Sequence, residues 1–198
     1  MEARRPRGPS VRKAAARDLA RAGGQDAPIE IVQYDPEWPT RFASECERLL
    51  PLVTGAEIHH IGSTAVPGMP AKPVIDLMAL VQELDAPIPA LVDQGGYRYP
   101  EAFNATLSHR RWLCRPTAVH RTHHLHLVDE RAELARHLRF RDLLRANATL
   151  RCEYARLKRD LAEHMGDDRE AYSEAKSAFI DRVEADARHV YKEMERNP

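Results

Sequence analysis

A chain of 198 residues that is 43% hydrophobic and 30% charged can fill the core of one domain and keep its surface wet. Lys and Arg balance Asp and Glu at 30 each, so net charge gives no case for a membrane or nucleic-acid partner, and no apolar run approaches the roughly 20 residues of a membrane span. The three cysteines, Cys46, Cys114 and Cys152, are far apart and form no C-x-x-C pair, which argues against a thiolate zinc site or a disulfide framework and for a reducing, cytoplasmic setting.

Residues 1–28 carry Arg4, Arg5, Arg7, Arg12, Lys13, Arg17 and Arg21 with few large apolar side chains, the composition of a disordered basic tail. It has no apolar h-region, so it is not read as a secretory signal. The folded domain is expected over residues 29–195. Ile29 to Val32 reads as a short strand and Tyr34 to Pro39 as a turn. Thr40 is placed to cap a helix with Phe42, Cys46, Leu49 and Leu50 on one side, ended by Pro51. Glu57 to Ile61 is a strand, and a loop punctuated by Gly62, Pro67, Gly68, Pro70 and Pro73 follows it. Val74 to Val81 is the most apolar run and reads as a central strand, interrupted by Asp76. A short helix from Pro89 to Gln94 stops at Gly95-Gly96. Arg110 to Cys114 and His124 to Val128 are two further strands, and from Arg131 the pattern is helical. Strands first and helices last give an α/β (α+β) layout, a mixed sheet with a helical C-terminal half.

The segment with the most chemistry runs from His60 to Asp76. A strand ending in Gly62-Ser63, with Thr64 beside it, lets backbone amides and hydroxyls approach a phosphate. Lys72 adds positive charge. Asp76 lies inside an apolar strand, where a carboxylate is costly unless paired or bound to a cation. Side chains alternate along a strand, so Met78 faces the same way as Asp76 and brings no second carboxylate. His124 and His126 share one strand face, where an imidazole pair can ligate a metal or act as base. His109, His120 and His123 read as loop residues. On the helices, Arg141 and Arg145, Tyr154 and Lys158, and Tyr172 and Lys176 are each four apart and can present one face together. Asp142 has Arg139 or Arg145 as surface partner.

The string HIGSTAVPGMPAKPVIDLM, with YDPEWPTRF before it and HLHLV, FRDLLRAN, EYARLK and YSEAKSAFI after it, resembles the GrpB family over about Ile29 to Val183. GrpB proteins are similar to the nucleotidyltransferase superfamily, which pairs a Gly-Ser turn with an acidic-x-acidic strand and a third acidic residue. The resemblance implies a nucleoside triphosphate substrate held by Gly62, Ser63, Thr64, Lys72, Arg141, Tyr154, Lys158 and Lys176. It implies a divalent ion, Mg²⁺ or Mn²⁺ and alternatively Zn²⁺, at Asp76, His124 and His126, which are also the catalytic candidates, and a small-molecule acceptor. The alternative is a module that binds nucleotide or protein without turnover, for which GrpB-like domains joined to dephospho-coenzyme A kinase offer a context.

Overall fold

The computed structural model describes residues 29–117, 119–165 and 169–196, the side chains of 169–171, 173 and 187–196 excepted. The expected basic tail, 1–28, lies outside the described residues. Helix α1 spans Trp38–Leu49 and leads to β1 (Glu57–Ile61), a single 3₁₀ turn (Ser63–Ala65) and β2 (Ile75–Leu80). Two short helices, α2 (Ile88–Asp93) and α3 (Glu101–Asn104), precede β3 (Arg110–Pro116) and β4 (Arg121–Val128). Helices α4 (Arg131–Ala146), α5 (Ala148–Met165) and α6 (Arg169–Arg196) complete the chain. Among the described residues no helix is long and apolar enough to cross a membrane.

The four strands form one mixed sheet in the order β1-β2-β4-β3. Strand β2 pairs antiparallel with β1 and parallel with β4, and β3 closes the far edge antiparallel to β4. Period-two alternation divides β2 between two cores. Ile75, Leu77 and Ala79 pack with Leu125, Leu127 and Leu113 against Trp38, Leu49, Leu91 and Tyr97. Met78 points the other way, into a cluster with Ile61, Val128 and Leu134 of α4. A third cluster joins Val66 and Met69 of the loop after β1 to Leu144, Tyr154 and Ala155, with Phe140 and Phe179 packed against it. That loop is thereby held on the C-terminal helices.

Several local expectations are corrected. Ile29 to Val32 is not a strand; Val32 makes one bridge to Ala71, with reciprocal 3.0 Å hydrogen bonds. Thr40 does not cap α1, because the helix starts at Trp38: the Asp35 carboxylate accepts the Glu37 N–H at 2.9 Å and Pro39 occupies the first turn. Leu50 lies past the helix end and is 56% exposed. His123 is no loop residue in water but a buried member of β4. Helix α3 was not foreseen. Its Asn104 side chain accepts the Trp112 N–H at 2.7 Å and donates to the carbonyls of Trp112 and Pro100 at 2.8 and 3.0 Å, bracing β3.

Candidate functional site

Asp76 faces Ile61 of β1 on one side and His124 of β4 on the other, so it lies where the Gly-Ser turn leaves the sheet. Gly62 turns the chain there with φ of 71°, a conformation that favours glycine. A Cβ at Gly62 would overlap Asp76 Oδ2, with the Asp76 Cβ and Cγ both 3.1 Å away. Turn and carboxylate are therefore built against each other. His124 donates its Nδ1–H to Asp76 Oδ1 at 2.8 Å, and the two side chains remain 28% (Asp76) and 17% (His124) accessible.

This bond fixes the imidazole: with the proton on Nδ1, the lone pair of neutral His124 is on Nε2. That Nε2 is buried and has no hydrogen-bond partner among the described residues. Burial lowers the His124 pKa, opposed by the bond and charge of Asp76. Burial would raise that of Asp76, yet the His124 bond and the positive potential of His124, His126 and Lys176 hold it below the usual carboxylate range. His126 sits two residues along, opposite the buried Met78 and Trp112. Its Nδ1 is likewise without a partner among the described residues, and burial pushes its pKa well down.

The expected ligands divide into those the fold brings to Asp76 and those it directs elsewhere. Lys176 lies near enough for Asp76 to favour its charged form, and Lys72 near enough to disfavour charge on His124. Lys158 is buried, donates to the Pro70 carbonyl, and shares its surroundings with Lys176. Three residues expected at a phosphate or base are occupied otherwise. Thr64 is buried; its hydroxyl donates to Val74 O at 3.2 Å and accepts from His60 Nε2 at 3.0 Å. Tyr154 cannot stack on a base, because Phe179 stacks on its ring at 5.0 Å, Lys158 lies 5.0 Å over the ring and Phe140 meets its ring at 88°. Arg141 donates to His60 O at 3.0 Å and pairs with Asp142, while Arg145 donates twice to Ala65 O, at 3.0 and 2.7 Å. The two arginines thus clasp the backbone on either side of Gly62-Ser63 and position the turn.

Among the described residues no group of three or more His, Cys, Asp or Glu is arranged to hold a metal ion. The Asp76, His124 and His126 set does not assemble as one, since Asp76 engages His124 and His126 lies beside Met78 inside the sheet. Two shallow depressions lie away from Asp76, one bordered by Glu153, Arg156 and Arg182 and the other by Ser108, His109 and Glu130.

A second buried polar cluster was missed. Glu45 of α1 accepts from Tyr97 OH at 2.7 Å, from Arg48 at 3.1 and 3.2 Å, and from Arg115. The signal was available: Glu45 falls three residues after Phe42 and four before Leu49, on the apolar stripe of its helix.

A family model described as GrpB protein matches residues 28–186. The chain belongs to the GrpB family. The crystal structure of the conserved protein GrpB from Enterococcus faecalis superposes with a TM-score of 0.71 at 35% identity, covering 82% of this chain and 99% of that one. The UPF0157 protein YqkA of Bacillus subtilis is 37% identical over 170 residues, 83% of this chain and 48% of its own, so the match spans about half of that relative. A dephospho-CoA kinase of Mycolicibacterium paratuberculosis is 30% identical over 206 residues, 87% of this chain and 48% of the kinase. The GrpB match thus includes the Gly62–Asp76 segment, β4 and the lysine-bearing helices.

Proposed function

We propose that this GrpB-family protein binds the phosphates of a nucleoside triphosphate between the Gly62-Ser63 turn, Asp76 and helices α5 and α6, as a nucleotidyltransferase-type site. The observation that carries this reading is the fit of Gly62 to Asp76, where no side chain larger than glycine's hydrogen is accommodated without a shift. The first amides of the 3₁₀ turn, at Ser63 and Thr64, have no acceptor within the turn and suit phosphate oxygens. The donor set fits one divalent ion and not two: Asp76 offers a carboxylate oxygen, and Met78 offers none. Mg²⁺ or Mn²⁺ shared with the phosphates suits that single carboxylate, whereas Zn²⁺ would require the bare Nε2 of His124. When bound, the ion neutralises phosphate charge.

Transfer would then proceed by attack of an acceptor hydroxyl on the α-phosphorus. The new O–P bond forms as the bond to pyrophosphate breaks, and the hydroxyl proton leaves to water. Asp76 is held in place by the His124 Nδ1–H. A second reading, nucleotide binding without turnover, is favoured by Met78, which is fully buried with Ile61, Val128 and Leu134 where a second carboxylate would stand. The dephospho-CoA kinase likeness supports a partner role in that reading.

Calorimetric titration of the four ribonucleoside triphosphates, each with Mg²⁺ and with Mn²⁺, into wild type and Asp76→Ala tests the shared part. Metal-dependent binding present in wild type and lost in the variant supports the site, and pyrophosphate release on adding hydroxyl acceptors separates the two readings. No triphosphate bound under any condition would sink both.

A further inference from the structure

The pairing of β1 with β2 ends at Ile61 opposite Asp76, and the chain leaves the sheet at Gly62. Arg141 and Arg145 hold the turn at His60 O and Ala65 O, but they tie it to α4 and not to the strand that carries Asp76. A side chain makes the tie to that strand. Thr64, 1% exposed, donates its hydroxyl to the carbonyl of Val74 at 3.2 Å, two residues before Asp76. With that proton given to Val74, the hydroxyl accepts from His60 Nε2 at 3.0 Å, which places the imidazole proton on Nε2. Phe42 of α1 stacks on the same imidazole, with centroids 4.6 Å apart and planes 6° from parallel, and holds the ring in that orientation.

His60, Thr64 and Val74 are all buried, so water does not compete for these bonds, and they are stronger there than at a surface. Thr64 and Val74 flank the loop of residues 65–73. Their bond closes that loop at its base and fixes the start of β2 against the turn. Spacing matters here because Asp76 lies hard against Gly62, where even a Cβ would overlap its carboxylate. A binding constellation tolerates only about 0.5 Å of misplacement. We propose that Thr64 is a positioning residue, whose hydroxyl sets the spacing between the Gly62-Ser63 turn and the Asp76 carboxylate so that one phosphate chain reaches both the turn and a metal ion on Asp76. The role rests on the nucleotide reading above and deepens it, by naming the side chain that holds the two halves of that site in register.

The test is calorimetric titration of ATP with Mn²⁺ into wild type, Thr64→Val, Thr64→Ser, Asp76→Asn and the double variant Thr64→Val/Asp76→Asn, with circular dichroism melts confirming the fold. Thr64→Val keeps the shape and drops the hydroxyl, whereas Thr64→Ser keeps the hydroxyl and drops a methyl. Thr64→Val is expected to bind at least about tenfold more weakly than wild type and Thr64→Ser within about threefold of it, the size of one buried hydrogen bond lost or kept. In the Asp76→Asn background Thr64→Val should weaken binding by no more than about twofold, because its effect passes through Asp76. Should Thr64→Val fail to fold, Thr64→Cys, whose thiol is a weak donor, takes its place. Where Asp76→Asn binds too weakly to measure, the contrast between Thr64→Val and Thr64→Ser decides. Losses that add in the double variant, a Thr64→Ser as weak as Thr64→Val, or a Thr64→Val that binds like wild type would each overturn the positioning role and leave the nucleotide reading standing. No binding of ATP with Mn²⁺ by wild type would overturn the two together.

Discussion

Two acidic side chains, Glu45 on α1 and Asp76 on β2, are tied to strands of this sheet, and their surroundings differ. Glu45, 1% exposed, receives a phenol and two guanidiniums, and those bonds with the charge of Arg115 outweigh the burial that would raise its pKa. Asp76 receives one imidazole, stays 28% accessible, and lies near enough to Lys176 to favour its charged form. Neighbouring residues of β4 serve the two groups, His123 acting on Glu45 and His124 bonding Asp76. A buried charge that is fully surrounded by partners belongs to stability, and one left incomplete at an open position belongs to binding. The comparison assigns Glu45 to the fold and leaves Asp76 as the residue on which the proposed function rests.

The largest expected effect comes from breaking the complete cluster. Glu45→Ala leaves Arg115 and Tyr97 without their acceptor and should cost about 3–5 kcal/mol in urea unfolding, while Asp76→Asn should stay within about 1 kcal/mol of wild type. Equal losses would erase the distinction. Acid should act next. Burial drives His60 and His123 to a pKa of about 4, with the charges of Arg145 and Arg115 assisting respectively and Asp76 and Glu45 opposing. Their folded values lie below the unfolded 6.5, so the unfolded chain binds more protons between the two. Stability is therefore full above pH 6.5 and falls as pH drops toward 4, by on the order of 2 kcal/mol for each histidine. A pH series of urea midpoints on wild type and His123→Gln should show a shallower fall in the variant. Gly62→Ala is expected to cost about 1–3 kcal/mol, comparable with one histidine, through its φ of 71° and its overlap with Asp76. Adding Asp76→Gly should return the steric part of that loss and leave the backbone part, which a double-mutant cycle reads directly.

Much of the frame was legible because it follows from pattern. The apolar run around Asp76 gave β2 within a residue at each end, and period two placed His124 with His126 and Asp76 with Met78 on shared strand faces, while the register that pairs them came from the fold. Gly95-Gly96 marked the end of α2. Side-chain destinations were not legible, since they depend on what another element presents. Nothing local in Thr64 tells that its hydroxyl turns inward to Val74 O, or in Arg141 and Arg145 that a backbone carbonyl 81 or 80 residues away takes their donors. Tyr154 read as a residue that holds the nucleotide because its spacing with Lys158 was visible and the packing of Phe140 and Phe179 on it was not. Asn104 shows the same limit for backbone: α3 is four residues held by three side-chain bonds to Pro100 and Trp112, with no periodicity to announce it.

The most direct test of the contrast is urea unfolding of wild type and Asp76→Asn, each with and without saturating ATP and Mn²⁺. A ligand that binds only the folded state raises its stability, by about 2.7 kcal/mol at a hundred times its Kd. The account predicts equal stability for the two proteins without ligand, a clear gain for wild type with it, and loss of the Mn²⁺-dependent part of that gain in Asp76→Asn. A variant that unfolds several kcal/mol more easily, with no gain from ATP in either protein, would place Asp76 with Glu45 among the residues that hold the fold and contradict the account.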